Sequence, residues 1–381
     1  MAKINFSKKL ENLIASFLIL GTILFIILFI WQNRFFYQQN FDPQRLANFY
    51  SYSQFSEKQP LFTISDDDLY AYAGWHYLAT GDLKSLNIEH PPLGKYFIGL
   101  SIKLFNNQNI GHIFWGILFL YLTYLISFQI SNNRLIAITI PFFLILEPLF
   151  RQQMIHSLLD LPQATFILAY LLILPRVKNS FWSTLILGVC LGAVAAIKFP
   201  ALAFILSLAT LLAFIFYRQQ PFICLFKLWC FINFIAIFVF TVTYFSLLSQ
   251  AGFTSWIHVL IQATKIHLNH VPLYSKGVIF RVLFFNQWPR WWGQEGIQKV
   301  TEWQYTWPLV GISFLLSPFL FIKKNFFRKN PSIFFFTWIS LLFLASRLFF
   351  PTYLLPILPF GFLFFMLIIQ LFLRQQSNFS N

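Results

Sequence analysis

The sequence predicts an all-α polytopic membrane protein: a bundle of about ten transmembrane helices with a helical first external loop. Three observations carry this reading. Hydrophobic residues make up 58% of the chain and charged ones only 10%, against roughly 25% charged in an ordinary soluble domain. Uncharged runs that suit ~20-residue helical spans recur from end to end. The basic residues gather in every second connection, as the positive-inside rule requires.

Taken in order, the apolar runs cover residues 12–33, 104–133, 135–146 with flanks, 161–175, 179–197 and 199–217. The run 228–264 exceeds the length of one span, so its end is expected outside the membrane. Runs at 303–322, 330–346 and 348–373 complete the set, with Pro200 and Pro351 blurring two boundaries. Lys3, Lys8 and Lys9 precede the first run as in a signal peptide. The apolar stretch is longer than a signal core, and no small-residue cleavage site precedes Trp31, so a permanent anchor is expected.

With the N-terminus inside, Arg134, Arg176, Lys178, Arg218, Lys227, Arg374 and the cluster Lys323, Lys324, Arg328 and Lys329 all face the cytoplasm. Of the 12 acidic residues, Glu11 alone falls inside. The formal charge of +15 thus reflects topology and contact with anionic membrane lipids. Nucleic acid is excluded as a partner, because the cations share no soluble surface. A reporter fused after Lys329 should read cytoplasmic and one inserted at residues 294–299 external; the reverse pattern would place every candidate site residue in the wrong compartment.

This topology divides the chain into five parts. Residues 1–33 hold the cytoplasmic N-terminus and first helix, and 34–103 the first external loop. Helices two to seven occupy 104–249, the second external loop 250–305, and the last three helices with a short cytoplasmic tail 306–381. Cys190, Cys224 and Cys230 lie in or beside apolar runs and show neither metal-ligand spacing nor a disulfide framework.

The first external loop holds two polar features. Ser65-Asp66-Asp67-Asp68 reads as a helix start, with Ser65 as N-cap, Ser65 and Asp68 resembling a capping box, and Gly81 closing the C-terminus. Carboxylates in a first turn complement the helix dipole. Three in a row repel one another, which points to a functional role for at least one. Glu89-His90-Pro91-Pro92-Leu93-Gly94-Lys95-Tyr96 then turns an extended segment into a new helix. Leu93, Phe97, Leu100 and Leu104 space an apolar stripe along that helix, as at a membrane interface. Lys95 and Lys103 fall off the stripe, where Lys95 either snorkels or binds an anion.

These motifs resemble the protein O-mannosyltransferases and their wider relatives, the lipid-carrier-dependent glycosyltransferases that include the aminoarabinose transferases of lipid A. The resemblance implies a GT-C-type bundle. It places Asp66 at the catalytic aspartate of the family and Asp67 at its acidic neighbour, with His90-Pro91-Pro92-Leu93 the specific element. Leu158-Leu159-Asp160 is similar to the family's Leu-Leu-Asp. The arginine usual five residues earlier is replaced by Ile155, with Arg151 and His156 as nearby cations. Gly188, Gly192 and Lys198-Phe199 resemble a glycine-rich span ending in lysine, and Arg347 with Tyr353-Leu354-Leu355-Pro356 resembles the C-terminal arginine segment. His270, Tyr274-Ser275 and Trp307-Pro308 match only loosely. Asp160 also suits a plain helix cap, and Lys198 and Arg347 suit snorkelling near outer span ends.

The function expected from residues and resemblance together is transfer of a sugar from a polyprenyl-phosphate carrier to a hydroxyl on the non-cytoplasmic face, with inversion. The setting is the plasma membrane, the enzyme mannosyltransferase-like, and the acceptor a protein Ser or Thr or a lipid or glycan. Asp66 is the candidate base, with Asp67 beside it. His90, Lys95, Lys198 and Arg347 are candidate phosphate ligands; Glu89, His156, Asp160 and Tyr353 are candidate supports. No cofactor and no metal site is assigned, although the Asp66 to Asp68 cluster offers oxygen ligands to a divalent ion. The alternative is a transporter or flippase of lipid-linked sugars. It would place its charges at mid-membrane and repeat its halves, neither of which the sequence shows.

Overall fold

The computed structural model describes residues 2–57, 59–216, 221–269, 276–290, 296–323, 330–347 and 349–379. Helix α1 (Ala2–Gln32) is the first apolar run, with most of its surface facing outward, and it packs on α7 (Arg134–Leu146). The segment after it begins with three helices: α2 (Arg34–Gln38), α3 (Pro43–Ser51) and α4 (Asp66–Thr80). Asp42 caps α3 by accepting the backbone N–H groups of Gln44 and Arg45, each at 3.0 Å. Helix α4 starts and ends where the sequence indicated, with Gly81 left-handed at φ 75°. Ser65 occupies the N-cap position but makes no side-chain cap bond, so the capping-box expectation fails there.

Helix α5 (Leu93–Phe105) begins directly after Pro92 and packs along α4. Gly74 and Gly99 permit this, because a Cβ on either would collide with the backbone of the opposite helix. The buried face of α5 is Gly94, Lys95, Ile98, Gly99 and Ile102, while Leu100 and Leu104 face outward. Lys95 therefore points into the protein rather than snorkelling.

Among the described residues, four apolar helices are long enough to cross a membrane alone: Lys8–Gln32 within α1, α6 (Ile110–Ser131), Asp160–Val177 and Phe222–Val242. Helix α7 and α8 (Pro148–Ile155) are long and apolar enough only as a pair, bent by 67° as in a broken span or a re-entrant loop. The break lies at Glu147, whose backbone is extended ahead of Pro148. Helix α9 (Asp160–Ile173) continues as a 3-10 turn to Asn179. The shorter apolar helices α10 (Phe181–Ile197) and α11 (Pro200–Phe216) follow, then the long α12 (Phe222–Val242). Gly188 and Gly192 seat α10 against Ile235, Ala236 and Val239 of α12, which makes them packing residues.

Helix α13 (Phe245–Asn269) carries the long run out of the bundle, with a kink at Gly252, where φ is 76°. Helix α14 (Val278–Phe285) and a two-stranded hairpin, β1 (Trp288–Arg290) against β2 (Gly296–Gln298), complete the described second loop. His270, Tyr274 and Ser275 lie outside the described residues. Helices α15 (Thr306–Lys323), α16 (Pro331–Ser346) and α17 (Leu358–Phe379) supply the last apolar segments. Two smaller clusters pack α3, α4, α5 and α13, and a large core from Phe29 on α1 to Leu367 on α17 joins the long apolar helices. Its faces are apolar on nearly every side, as a membrane bundle requires.

Candidate active site

The first turn of α4 is the hub of the site. Asp66 is exposed at the start of α4, where the charges of Lys198, Asp160, Glu89 and Asp67 act on its carboxyl. Lost hydration pushes its carboxyl above the usual carboxylate range, against the pull of the Lys198 ammonium. Asp67 faces another way. Its Oδ2 accepts from His156 Nδ1 at 2.7 Å, and its carbonyl accepts from Ser157 Oγ at 3.1 Å. Burial opposes its charge, but bonds from His156 and Ser65 hold the carboxyl below its ordinary range. The same bond raises the His156 imidazole, against burial. Two adjacent aspartates are thus pushed in opposite directions by their surroundings.

The Glu147 break explains how His156 reaches Asp67. The 67° bend turns α8 aside from α7, and His156 at its C-terminus meets Asp67 on α4. Thr306 Oγ1 and Trp307 Nε1 both donate to the buried Glu147 carboxylate and pin the bend to α15. The cation that meets the acidic pair at Asp67 is therefore His156, while Arg151 lies near Glu147. Ile155 packs against the apolar core.

Lys198 ends α10 and bonds both oxygens of Asp160, the first residue of α9, at 2.8 and 3.0 Å. Both side chains are buried. The Lys198 ammonium also lies 5.2 Å from the Phe199 ring centre and 5.4 Å from that of Tyr353. Arg347 follows α16 in extended backbone, its guanidinium over Phe343 at 5.1 Å and its charge felt at Tyr353. Among the described residues, no carboxylate pairs with Arg347.

His90 closes the other wall, edge-on to Tyr70 at 5.7 Å and to Phe199 at 5.3 Å. Burial, with Lys198 and Lys95 nearby, pushes its imidazole well below the ordinary range, so it serves as a neutral donor or acceptor. Lys95 does not join this group. Its ammonium donates to the carbonyls of Asn87 at 2.5 Å and His90 at 2.7 Å, and to the Tyr77 hydroxyl at 3.2 Å. That side chain fixes the shape of the segment carrying His90.

His267, on α13, was not among the residues singled out in the sequence. Its Nε2 meets the Glu89 carbonyl at 3.0 Å, and its ring lies 5.4 Å from that of His90. One ligand atom each from Glu89, His90 and His267 falls within 4.8 Å of the others. Two imidazoles and a carboxylate suit a zinc-like cation. Nothing local in the α13 sequence marks His267; only the return of the helix over the first loop places it there.

No family model matches the chain, and no curated protein does. Solved structures do. ArnT from Cupriavidus metallidurans bound to undecaprenyl phosphate is similar, with a TM-score of 0.58 at 14% identity over 90% of this chain and 59% of that one. Its apo state scores 0.57, also at 14% identity, over 91% and 60%. The archaeal oligosaccharyltransferase AglB from Archaeoglobus fulgidus, in complex with an inhibitory peptide and a dolichol-phosphate, scores 0.54 at 11% identity over 98% and 52%. The fold expected from the sequence resemblance is therefore the fold found. The chain spans 52 to 60% of the length of these proteins.

Proposed function

We propose that the chain transfers a sugar from a polyprenyl-phosphate carrier to a hydroxyl acceptor on the non-cytoplasmic face of the membrane. The observation that carries this is the meeting of Asp66, at the start of α4, with the buried Lys198 and with Arg347 at the ends of α10 and α16, around Tyr353. Structures of similar fold hold undecaprenyl phosphate and dolichol-phosphate, which supports a lipid phosphate as the ligand of these cations.

The acceptor oxygen bonds to the anomeric carbon while its proton passes to the Asp66 carboxylate. The bond from that carbon to the phosphate oxygen breaks, and its electron pair leaves with the polyprenyl phosphate. Arg347 and Lys198 hold the charge that grows there; a guanidinium suits two phosphate oxygens at once. One displacement inverts the anomeric centre. Asp160 fixes the Lys198 ammonium, and Lys95 fixes the His90 segment from behind. Asp67, held by His156, aligns the first turn of α4.

Binding of polyprenyl phosphate without sugar separates the two roles. Arg347→Ala should weaken it by roughly 10- to 150-fold, the worth of one charge-assisted contact of about 1.5–3 kcal/mol. Asp66→Asn should leave it intact or tighten it slightly. Equal loss in both variants would show one general disruption and defeat the assignment.

A further inference from the structure

The first turn of α4 separates two regions. Asp66 interacts with the charges of Lys198 and Asp160, whereas Asp67 and Asp68 line a cavity of about 200 Å³ beside it. The cavity is smaller than the ~300–1,000 Å³ of a drug-sized site, which leaves room for one compact group. Its wall is rich in side chains that donate and accept at once. Gln39, Asn40, Gln108 and Asn109 supply amides, Asp68 a carboxylate and Arg45 a guanidinium. Phe36 and Phe41 add apolar faces.

Some of these groups are committed to the fold. Asn107 donates to the carbonyls of Phe36 and Gln39, Asp42 caps α3, and Asp67 is held by His156. Others are open. Gln108 Nε2 reaches Asp68 Oδ1 only at 3.4 Å, so the Gln108 amide and the Asp68 carboxylate are loosely held and can pair with a ligand O–H in the cavity. The charge balance chooses the ligand. Asp42, Asp67 and Asp68 outnumber Arg45 and His156 around the wall, so a phosphate or carboxylate is disfavoured. A single Ser or Thr hydroxyl would satisfy one or two of the polar groups and strand the rest, which is what a discriminating site penalises. A sugar ring presents several hydroxyls, each both donor and acceptor.

We propose that this cavity is the acceptor subsite and that it takes a neutral hexose unit of a glycan or glycolipid, whose reacting hydroxyl leaves the cavity past Asp67 toward Asp66. The proposal rests on the transferase reading given above, and a binding measurement separates the two. Saturation-transfer NMR on the detergent-solubilised full chain should show at least one member of a methyl hexoside panel bound. Filling the cavity by Gln108→Trp, or from its rim by Asn40→Trp, should abolish that signal. Arg347→Ala should keep it, and both filled variants should still bind polyprenyl phosphate. Three results would overturn the proposal: hexoside signals that persist in both filled variants, no hexoside bound by the wild type, or a Ser/Thr peptide whose signal is the one lost on filling. Failure of the wild type to bind polyprenyl phosphate would instead sink the transferase reading.

Discussion

Replacing Asp66 with Asn should lower sugar transfer by roughly 100- to 10,000-fold, the usual worth of a positioned general base. The substitution keeps size and shape, so the helix start survives and only basicity is removed. The differing surroundings of Asp66 and Asp67 make the expectation specific. Lost hydration raises its carboxyl, which makes it the stronger base of the adjacent pair, while Asp67 is held low by His156 and Ser65. Release of polyprenyl phosphate from a sugar-loaded carrier, followed in purified variants, measures the loss. Near-normal release in Asp66→Asn would remove the base from the mechanism. Asp68→Asn should be milder, since the Asp68 side chain faces the cavity and not the Lys198 cluster.

The second large effect concerns stability. Asp160 and Lys198 are 4% and 6% exposed and joined at 2.8 Å. Removing one partner strands a buried charge, which typically costs about 3–5 kcal/mol. Asp160→Asn alone should therefore lower the thermal unfolding midpoint in detergent sharply. The double variant Asp160→Asn with Lys198→Met should recover most of that loss, because no charge is left to strand. It should still bind the carrier poorly, since the ammonium is gone. A double variant no more stable than the single one would show that the pair contributes by packing and not by charge compensation.

Much of this was legible in the chain. Apolar runs mark the bundle because lipid leaves the backbone no partner but itself, and Gly81 and Pro92 mark the ends of α4 and α5 because each has a local conformational preference. The pairing of Asp160 with Lys198 was not legible: both residues were singled out separately, but 38 positions lie between them. Lys95 misleads in the sequence, since its place beside an apolar stripe suggests an outward cation. The close approach of α4 and α5 through Gly74 and Gly99 turns it inward onto carbonyls. His267 and the Glu147 bend were invisible for a related reason. Their effect comes from helices folding back over the first loop, and no short-range pattern encodes that return.

A structure of the chain with polyprenyl phosphate bound tests the central claim most directly. The account predicts the phosphate against Arg347 and the Lys198 to Asp160 pair, on the Asp66 side of α4, with the cavity lined by Asp67 and Asp68 left for the acceptor. A phosphate seated in that cavity, among Arg45, Gln108 and Asp68, would reverse donor and acceptor sides and contradict the account.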